Sequence, residues 1–204
     1  MIGTDRLVIM FGFFKLNFIV YLICVVWLII LIIAPLVEPE NTIHFSDSGD
    51  LDRVGEDEHY YDIEELQNTF SKIVYHSGDR MCHMKESRSF SINENQMPYC
   101  ARCFGIFLGF AIGAAIASFV LIDLRWWMLV IGLGPIGLDG GLQLITSYES
   151  NNIFRLLTGL LAGIITMIAV GLMIMELSNM SKQWMINRIW AKKYRNSYKI
   201  ISKK

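Results

Sequence analysis

The stretch FGIFLGFAIGAAIASFVLI at residues 104–122 is followed by Asp123, Leu124 and Arg125 and then by WWMLVIGLGPIGLDGGLQLI at residues 126–145. Each apolar run matches the roughly 20 residues that a helix needs to cross the hydrocarbon core of a bilayer. Because only a short polar link separates the runs, they predict two antiparallel transmembrane helices joined by a tight turn.

Two further apolar runs flank this pair, at about residues 16–37 and 153–175. A cleaved signal peptide is the alternative for the first, but the run exceeds the roughly 7–15 apolar residues of a signal core and lacks a small-residue cleavage site. The composition also indicates a membrane protein, because 53% of the 204 residues are hydrophobic and only 18% are charged. The sequence therefore predicts an all-α integral membrane protein with four transmembrane helices.

Basic residues near the spans predict the orientation, because cytoplasmic segments retain lysine and arginine. Such residues are dense after the fourth span, so we expect a cytoplasmic C-terminus at the cell membrane. With four spans, the N-terminus with Arg6 and Lys15 is then cytoplasmic too. The segment between the first two spans, which contains a Cys/His loop, is expected outside the cell.

We divide the chain into four parts by composition. Residues 1–37 hold the first span, and residues 38–69, rich in carboxylates with Arg53 as their single cation, are predicted to be a disordered acidic linker. Residues 70–177 combine the Cys/His loop with a three-helix membrane core. Residues 178–204 are predicted to be a basic amphipathic cytoplasmic tail, which we expect to bind anionic lipid rather than nucleic acid.

Three of the four cysteines lie near the start of the second span, and a histidine follows the first of them. Thiolates and imidazoles are the ligands that hold zinc in proteins. We therefore predict a metal site, with zinc as the preferred ion, formed by Cys82, Cys100, Cys103 and His83. An adjacent Cys-His pair on one ion is awkward, so His76 is the alternative fourth ligand.

Two other interpretations of these cysteines stay open. The CxxC pair could act as a redox dithiol, because a helix N-terminus and Arg102 stabilise a thiolate at Cys100. A structural disulfide is the third interpretation, but three external cysteines form only one disulfide and leave one thiol unpaired.

Polar residues interrupt the last two spans at one depth. Since an unpaired charge at the bilayer centre costs about 3 kcal/mol, Asp139 and Arg155 are expected to pair with each other. Glycines and Pro135 in the third span predict a kinked or opened helix. The predicted polar cavity, open to the outside, is lined by Asp139, Gln143, Asn151, Arg155 and Thr158. An ion pair that only locks the two helices together is the alternative.

Small residues recur every four positions on two of the spans, at Gly105, Gly109 and Gly113 and again at Gly159 and Gly163. Small residues let helix backbones approach closely. We expect the second and fourth spans to pack on each other or on a partner copy. In the second case the protein forms a homo-oligomer.

Several motifs occur in a characteristic order: Cys82-His83, Arg88-Ser89, Pro98-Tyr99-Cys100-Ala101-Arg102-Cys103-Phe104-Gly105, Asp139-Gly140, Glu149-Ser150-Asn151-Asn152, Arg155 and Thr158-Gly159. Over about residues 75–163, the chain resembles the archaeal and bacterial membrane family called domain of unknown function 2085. The resemblance implies a small multi-span membrane protein with a cysteine-containing motif and supplies no activity.

These features lead us to expect a zinc cluster beside a polar intramembrane site. If zinc keeps an open position, hydrolysis of a lipid or envelope substrate is expected. The sequence assigns no catalytic residues; the candidates are Asp139, Arg155 and Cys100, with Cys100 as the nucleophile if the protein is a dithiol enzyme. A phosphate, for instance of a lipid, could be held by Arg88, Ser89 and Arg102. A membrane dithiol oxidoreductase and a small transporter or channel subunit are the alternatives.

Overall fold

The computed structural model describes residues 3–45, 59–120, 122, 124–146 and 148–201, with side chains described for residues 16–181 and 183–188 within these ranges. The described residues form helices and one β-hairpin: α1 (Gly3–Leu36), α2 (Tyr60–Glu64), α3 (Thr69–Met81), a 3₁₀ turn (Glu86–Arg88), β1 (Ser89–Ile92), β2 (Asn95–Cys100), α4 (Ala101–Phe119), α5 (Trp126–Ile145) and α6 (Asn152–Ile201). The predicted all-α class is confirmed, with a small hairpin added to it.

Four of these helices contain stretches that are long and apolar enough to cross a membrane. The stretches are Leu16–Leu36, Ala101–Phe119, Trp126–Ile145 and Asn152–Arg188. The prediction of four spans is therefore confirmed. The tail predicted at residues 178–204 continues α6 as far as Ile201, and the side chains beyond residue 188 lie outside the described part.

The most extensive contact in the molecule joins α4 to α6. A Cβ placed on Gly109 would overlap the carbonyl oxygen of Leu160 and lie 2.8 Å from the Cα of Gly163. Gly105 and Gly159 are covered by backbone of the opposite helix in the same way. The predicted packing of the second span on the fourth is confirmed, because only glycine allows the two backbones this close.

The remaining two spans flank this pair. Helix α1 packs on α4, where Asn17 Nδ2 donates a hydrogen bond to the carbonyl of Ala117 at 3.1 Å. Helix α5 packs on α6, with Gly132 against the side chain of Ile165. Of the two predicted outcomes for α5, opening is wrong, since the helix runs on through Pro135, and the kink stays a prediction. Proline removes only one backbone donor, and the rest of the turn continues.

The ends of the predicted acidic linker are ordered, which corrects the prediction for residues 38–45 and 59–69. Glu38 is buried and accepts hydrogen bonds from the backbone N–H groups of Gln67 at 3.1 Å and Asn68 at 2.9 Å. The error has a physical cause: a few apolar side chains anchor both ends despite the high charge. These buried residues are Ile43, Phe45, Ile63 and Leu66. Residues 46–58 of the linker lie outside the described part.

The β-hairpin turns at Asn93 and Glu94, whose φ angles of 56° and 57° are those of a type I′ turn. Its second strand leads directly into α4. The buried Asn95 side chain holds the chain around it, because its amide donates to the carbonyls of Pro35 at 2.9 Å and Pro39 at 2.8 Å. The hairpin thereby fixes the point at which α4 begins.

Candidate metal centre and adjoining cavity

Three cysteines from three separate elements meet at the start of α4. Cys82 follows the last residue of α3, Cys100 ends β2, and Cys103 lies in the first turn of α4. Their sulfur atoms all lie within 4.8 Å of one another. The backbone N–H of Cys100 also donates to the sulfur of Cys82 at 3.4 Å. Cys24, in the middle of α1, is a free thiol outside this cluster.

Tight packing between α3 and β2 brings Cys82 to the other two cysteines. A Cβ on Gly78 would overlap the carbonyl oxygen of Pro98 and lie 3.1 Å from the sulfur of Met84. The Tyr75 hydroxyl donates to the carbonyl of Gln96 at 2.5 Å. Since α3 has no room to shift along the strand, the position of its C-terminal end is fixed against Cys100.

The cluster favours one thiolate held by neighbouring thiols. Hydrogen bonds from the side chains of Cys103 and Cys82 hold the pKa of Cys100 well below that of an ordinary thiol, and backbone N–H groups of Cys103 and Arg102 add to the effect. The pKa of Cys82 is raised to about 12, mainly by its hydrogen bond to Cys100 and by burial. A thiolate at the N-terminus of a helix is the form that binds metals and attacks disulfides.

Neither predicted histidine joins the three sulfurs among the described residues. Cys82 has extended backbone, with φ −145° and ψ 153°, so the side chain of His83 leaves on the opposite side of the chain. His76 lies on a different face of α3, where its Nε2 is 3.0 Å from Glu64 Oε1 and its ring packs on Tyr60. In this structure the cluster therefore offers three protein ligands and not the predicted four.

A cavity of about 250 Å³ adjoins the cluster. It lies beside the hairpin, where the N-terminal ends of α4 and α6 meet the C-terminal end of α5. Its walls are formed by His83, Lys85, Arg88, Cys100, Arg102, Gly140, Gln143, Leu144 and Arg155. Cys100 thus belongs both to the cluster and to the cavity wall.

The predicted polar residues divide between the wall of this cavity and its surroundings. Gln143 and Arg155 line the cavity. Asn151 is exposed and caps α6, where its side chain accepts from the N–H of Phe154 at 2.7 Å. Thr158 is buried and donates to the carbonyl of Arg155 at 3.1 Å. Asp139 is buried behind the wall.

The partner of Asp139 is Arg102, which corrects the predicted pairing with Arg155. The Arg102 guanidinium forms an ion pair with the buried Asp139 carboxylate. Gln143 Nε2 donates to the other carboxylate oxygen at 3.1 Å and to Ser150 Oγ at 2.7 Å. Arg155 instead donates to Asn152 Oδ1 at 3.2 Å. Arg102 lies in the first turn of α4, and its guanidinium extends towards α5. It therefore occupies the position beside the Asp139 carboxylate that we predicted for Arg155.

One ion pair at the rim joins segments that are distant in the sequence. Arg88 Nη2 donates to Glu149 Oε1 at 2.7 Å, which ties the turn before β1 to the link before α6. Both residues belong to motifs on which the family resemblance rests, Arg88-Ser89 and Glu149-Ser150-Asn151-Asn152. Their spacing along the chain does not predict that they form an ion pair.

The comparisons with known proteins cover this part of the chain. The model of a family described as "Predicted membrane protein (DUF2085)" matches residues 82–169. An uncharacterized protein of Methanocaldococcus jannaschii is 43% identical over 88 residues, which are 41% of this chain and 56% of that protein. An uncharacterized protein of Methanothermobacter thermautotrophicus is 39% identical over 89 residues, 41% of this chain and 78% of that protein. No solved structure matches the chain.

Proposed function

The chain belongs to the DUF2085 family of membrane proteins, and from the site within the matched residues we propose that it binds a metal ion through Cys82, Cys100 and Cys103. Zinc is the first candidate, because thiolates are its commonest ligands in closed sites and it needs no redox partner. The bound ion lies beside the cavity that the ends of α4, α5 and α6 enclose.

The observation that carries this proposal is the mutual distance of the three sulfurs, within 4.8 Å. Zinc–sulfur bonds of about 2.3 Å place tetrahedral thiolate ligands roughly 3.8 Å apart. A shift of about an ångström is therefore enough to bring the three side chains onto one ion. The lowered pKa of Cys100 supports the proposal, because a metal binds the thiolate and not the thiol.

The fourth ligand decides what the metal does. With three protein ligands, Cys82, Cys100 and Cys103 would hold the ion beside the cavity that Cys100 also lines. An ion with an open coordination position would supply an activated water for hydrolysis of a lipid or envelope substrate. If His83 turns to the metal, the site is closed and structural. The number of protein ligands therefore distinguishes a catalytic metal site from a structural one.

Metal analysis of detergent-purified protein, prepared with reductant and zinc, tests the proposal. We expect one metal ion per chain in the wild type and in the Cys24→Ser control, and strongly reduced metal in Cys100→Ser. A metal-free wild type, or equal metal in wild type and Cys100→Ser, overturns the proposal. His83→Ala then separates the two outcomes for the fourth ligand, because only a closed site loses affinity for the metal.

A redox dithiol is the second candidate function, and the thiolate at Cys100 favours it. Cys103 follows in the first turn of α4 and donates a hydrogen bond to that thiolate, which is the arrangement of a nucleophile beside its resolving thiol. Peptide mass spectrometry after mild oxidation and reduction tests it. A reversible Cys100–Cys103 disulfide in protein that binds no zinc replaces the metal proposal with the redox one.

The orientation is also proposed, with the cluster outside the cell. The basic residues after the fourth span support it, since such residues remain in the cytoplasm. Reporter fusions at the C-terminus test it: a fluorescent protein is expected to fold there and alkaline phosphatase to stay inactive, and the reverse result overturns the orientation.

A further inference from the structure

The cavity beside the cysteine cluster carries more cations than its neighbouring carboxylates neutralise. Four cationic side chains line it: Lys85, Arg88, Arg102 and Arg155. Asp139 neutralises Arg102, and Glu149 neutralises Arg88. Lys85 and Arg155 form no ion pair with a carboxylate in the described part of the chain. A thiolate at Cys100 in the same wall offsets one of these two charges. The positive charge that is left inside a half-enclosed space favours an anion there.

Buried donors in the same wall lack acceptors. The Nε atoms of Arg88 and Arg102 are buried without a hydrogen-bond partner among the described residues. Arg155 is only 4% exposed and shares one hydrogen bond with Asn152. Arg155 lines the cavity, so its guanidinium is the donor that an anion with several acceptor oxygens can reach there, whereas the two buried Nε atoms are closed off from that space.

The helix termini act in the same direction. Arg102 and Arg155 lie in the first turns of α4 and α6, so the positive ends of two helix dipoles lie at the cavity. The C-terminal end of α5 also lies at the cavity, and the negative end of its dipole opposes the two positive N-terminal ends. The two N-termini outweigh the single C-terminus. Helix N-termini are common binding places for phosphate groups.

We propose that this cavity binds a phosphate group. Its volume of about 250 Å³ is below the roughly 300–1,000 Å³ of pockets for drug-sized ligands, which suits a headgroup or a small anion. The site lies at the ends of three apolar helices, and the ends of membrane-spanning helices meet the headgroup region of a bilayer. The phosphate therefore comes from an anionic lipid or from solution. This inference does not depend on a bound metal.

Binding measurements with two probes test the proposal on the full chain in neutral detergent. Inorganic phosphate is titrated by calorimetry in chloride buffer, and dioleoylphosphatidylglycerol is added in native mass spectrometry, with dioleoylglycerol as its phosphate-free control. Both Arg155→Gln and Lys85→Gln are expected to lower affinity by at least about tenfold, because each removes a charged donor. The matched control is Arg125→Gln, an exposed arginine at the opposite end of α5.

The outcomes separate the sources of the phosphate. Binding of both probes supports a site for the phosphate group itself, phosphatidylglycerol alone supports a lipid headgroup, and inorganic phosphate alone supports a soluble ligand. No binding of either probe, or equal losses in Arg125→Gln and Arg155→Gln, overturns the proposal. If Arg155→Gln does not fold, Lys85→Gln at the half-buried edge carries the test. Metal content is expected to stay unchanged in both variants, so failure here is distinct from failure of the metal site.

Discussion

Helix α6 packs against two neighbours, and the two interfaces are built differently. Against α4, glycines on both helices bring backbone onto backbone, and Gly109 and Gly163 face each other directly. Against α5, the only comparable approach among the described glycines is Gly132 on Ile165. Helix α5 is otherwise tied to the bundle by polar contacts around Asp139 and Gln143.

The difference shows that glycine on a span does not by itself predict an interface. Helix α5 carries Gly134, Gly137 and Gly141, and a Cβ at any of them meets nothing within 4 Å. On α4 and α6 the same residue type is covered by a second backbone. Two residues of these polar contacts, Arg102 and Gln143, also line the cavity. Helix α5 therefore has little close backbone packing and is held in the bundle by the same side chains that form the cavity.

Gly109→Ala is expected to have the largest effect on stability. The added methyl group meets the backbone of α6 at Leu160 and Gly163, which cannot move aside as a side chain can. We expect a loss of at least about 3 kcal/mol, the upper end of overpacking costs. Unfolding in mixtures of sodium dodecyl sulfate and dodecyl maltoside measures it. A loss under about 1 kcal/mol contradicts a backbone contact at this point.

Asp139→Asn is expected to have the next largest effect, because it leaves the Arg102 guanidinium without its carboxylate. Breaking a fully buried pair costs about 3–5 kcal/mol. Since Arg102 is 25% exposed, we expect about 2 kcal/mol. The same unfolding assay measures it, and Arg102→Gln in the Asp139→Asn background is expected to cost little more. Additive losses in the double variant contradict a direct pair.

The sequence predicts the spans but not how they are rotated against one another. The runs at residues 104–122 and 126–145 identify helices through length and hydropathy alone, which need no knowledge of neighbours. The CxxC spacing and a nearby third cysteine likewise place the cluster at the start of α4. The choice between Arg102 and Arg155 as the partner of Asp139 depends on which guanidinium reaches the carboxylate, and no spacing along the chain contains that information.

Two further features were hidden by local composition. The strand β2 contains Asn95, Gln96 and Pro98, which are poor strand formers, so the hairpin does not appear in the sequence pattern. Its amides are buried because they bind the chain around them, as Gln96 does by donating to the carbonyl of Met84 at 2.5 Å. The ordered ends of the acidic segment were missed for a related reason, since a few buried apolar residues outweigh many exposed charges.

The Arg88–Glu149 pair is expected to give a small pH dependence. The Arg88 guanidinium, through its hydrogen bond and its charge, holds the pKa of Glu149 below its ordinary value of 4.5. A carboxyl group with a lowered folded pKa stabilises the fold above its unfolded pKa and loses that contribution as the pH falls through the folded pKa. Wild type is therefore expected to unfold at a slightly higher temperature than Glu149→Gln at neutral pH, with the gap closing below about pH 4.5.

Thermal unfolding of both proteins from neutral to acidic pH, at low and high salt, measures this gap. Salt is expected to reduce it, because the Glu149 side chain is 65% exposed and its charge is screened. A gap that widens as the pH falls contradicts the assigned sign.

Gly137→Ala is expected to leave the stability unchanged, and it is the matched counterpart of Gly109→Ala. Both glycines lie inside membrane-spanning helices, but a Cβ at position 137 points into open space. The added methyl group meets lipid and causes no overlap, so the two substitutions differ only in what lies opposite. The same unfolding assay and the oligomeric state in detergent measure the outcome. A loss like that of Gly109→Ala means that another helix covers this face of α5, since only a packed neighbour makes a single methyl group costly.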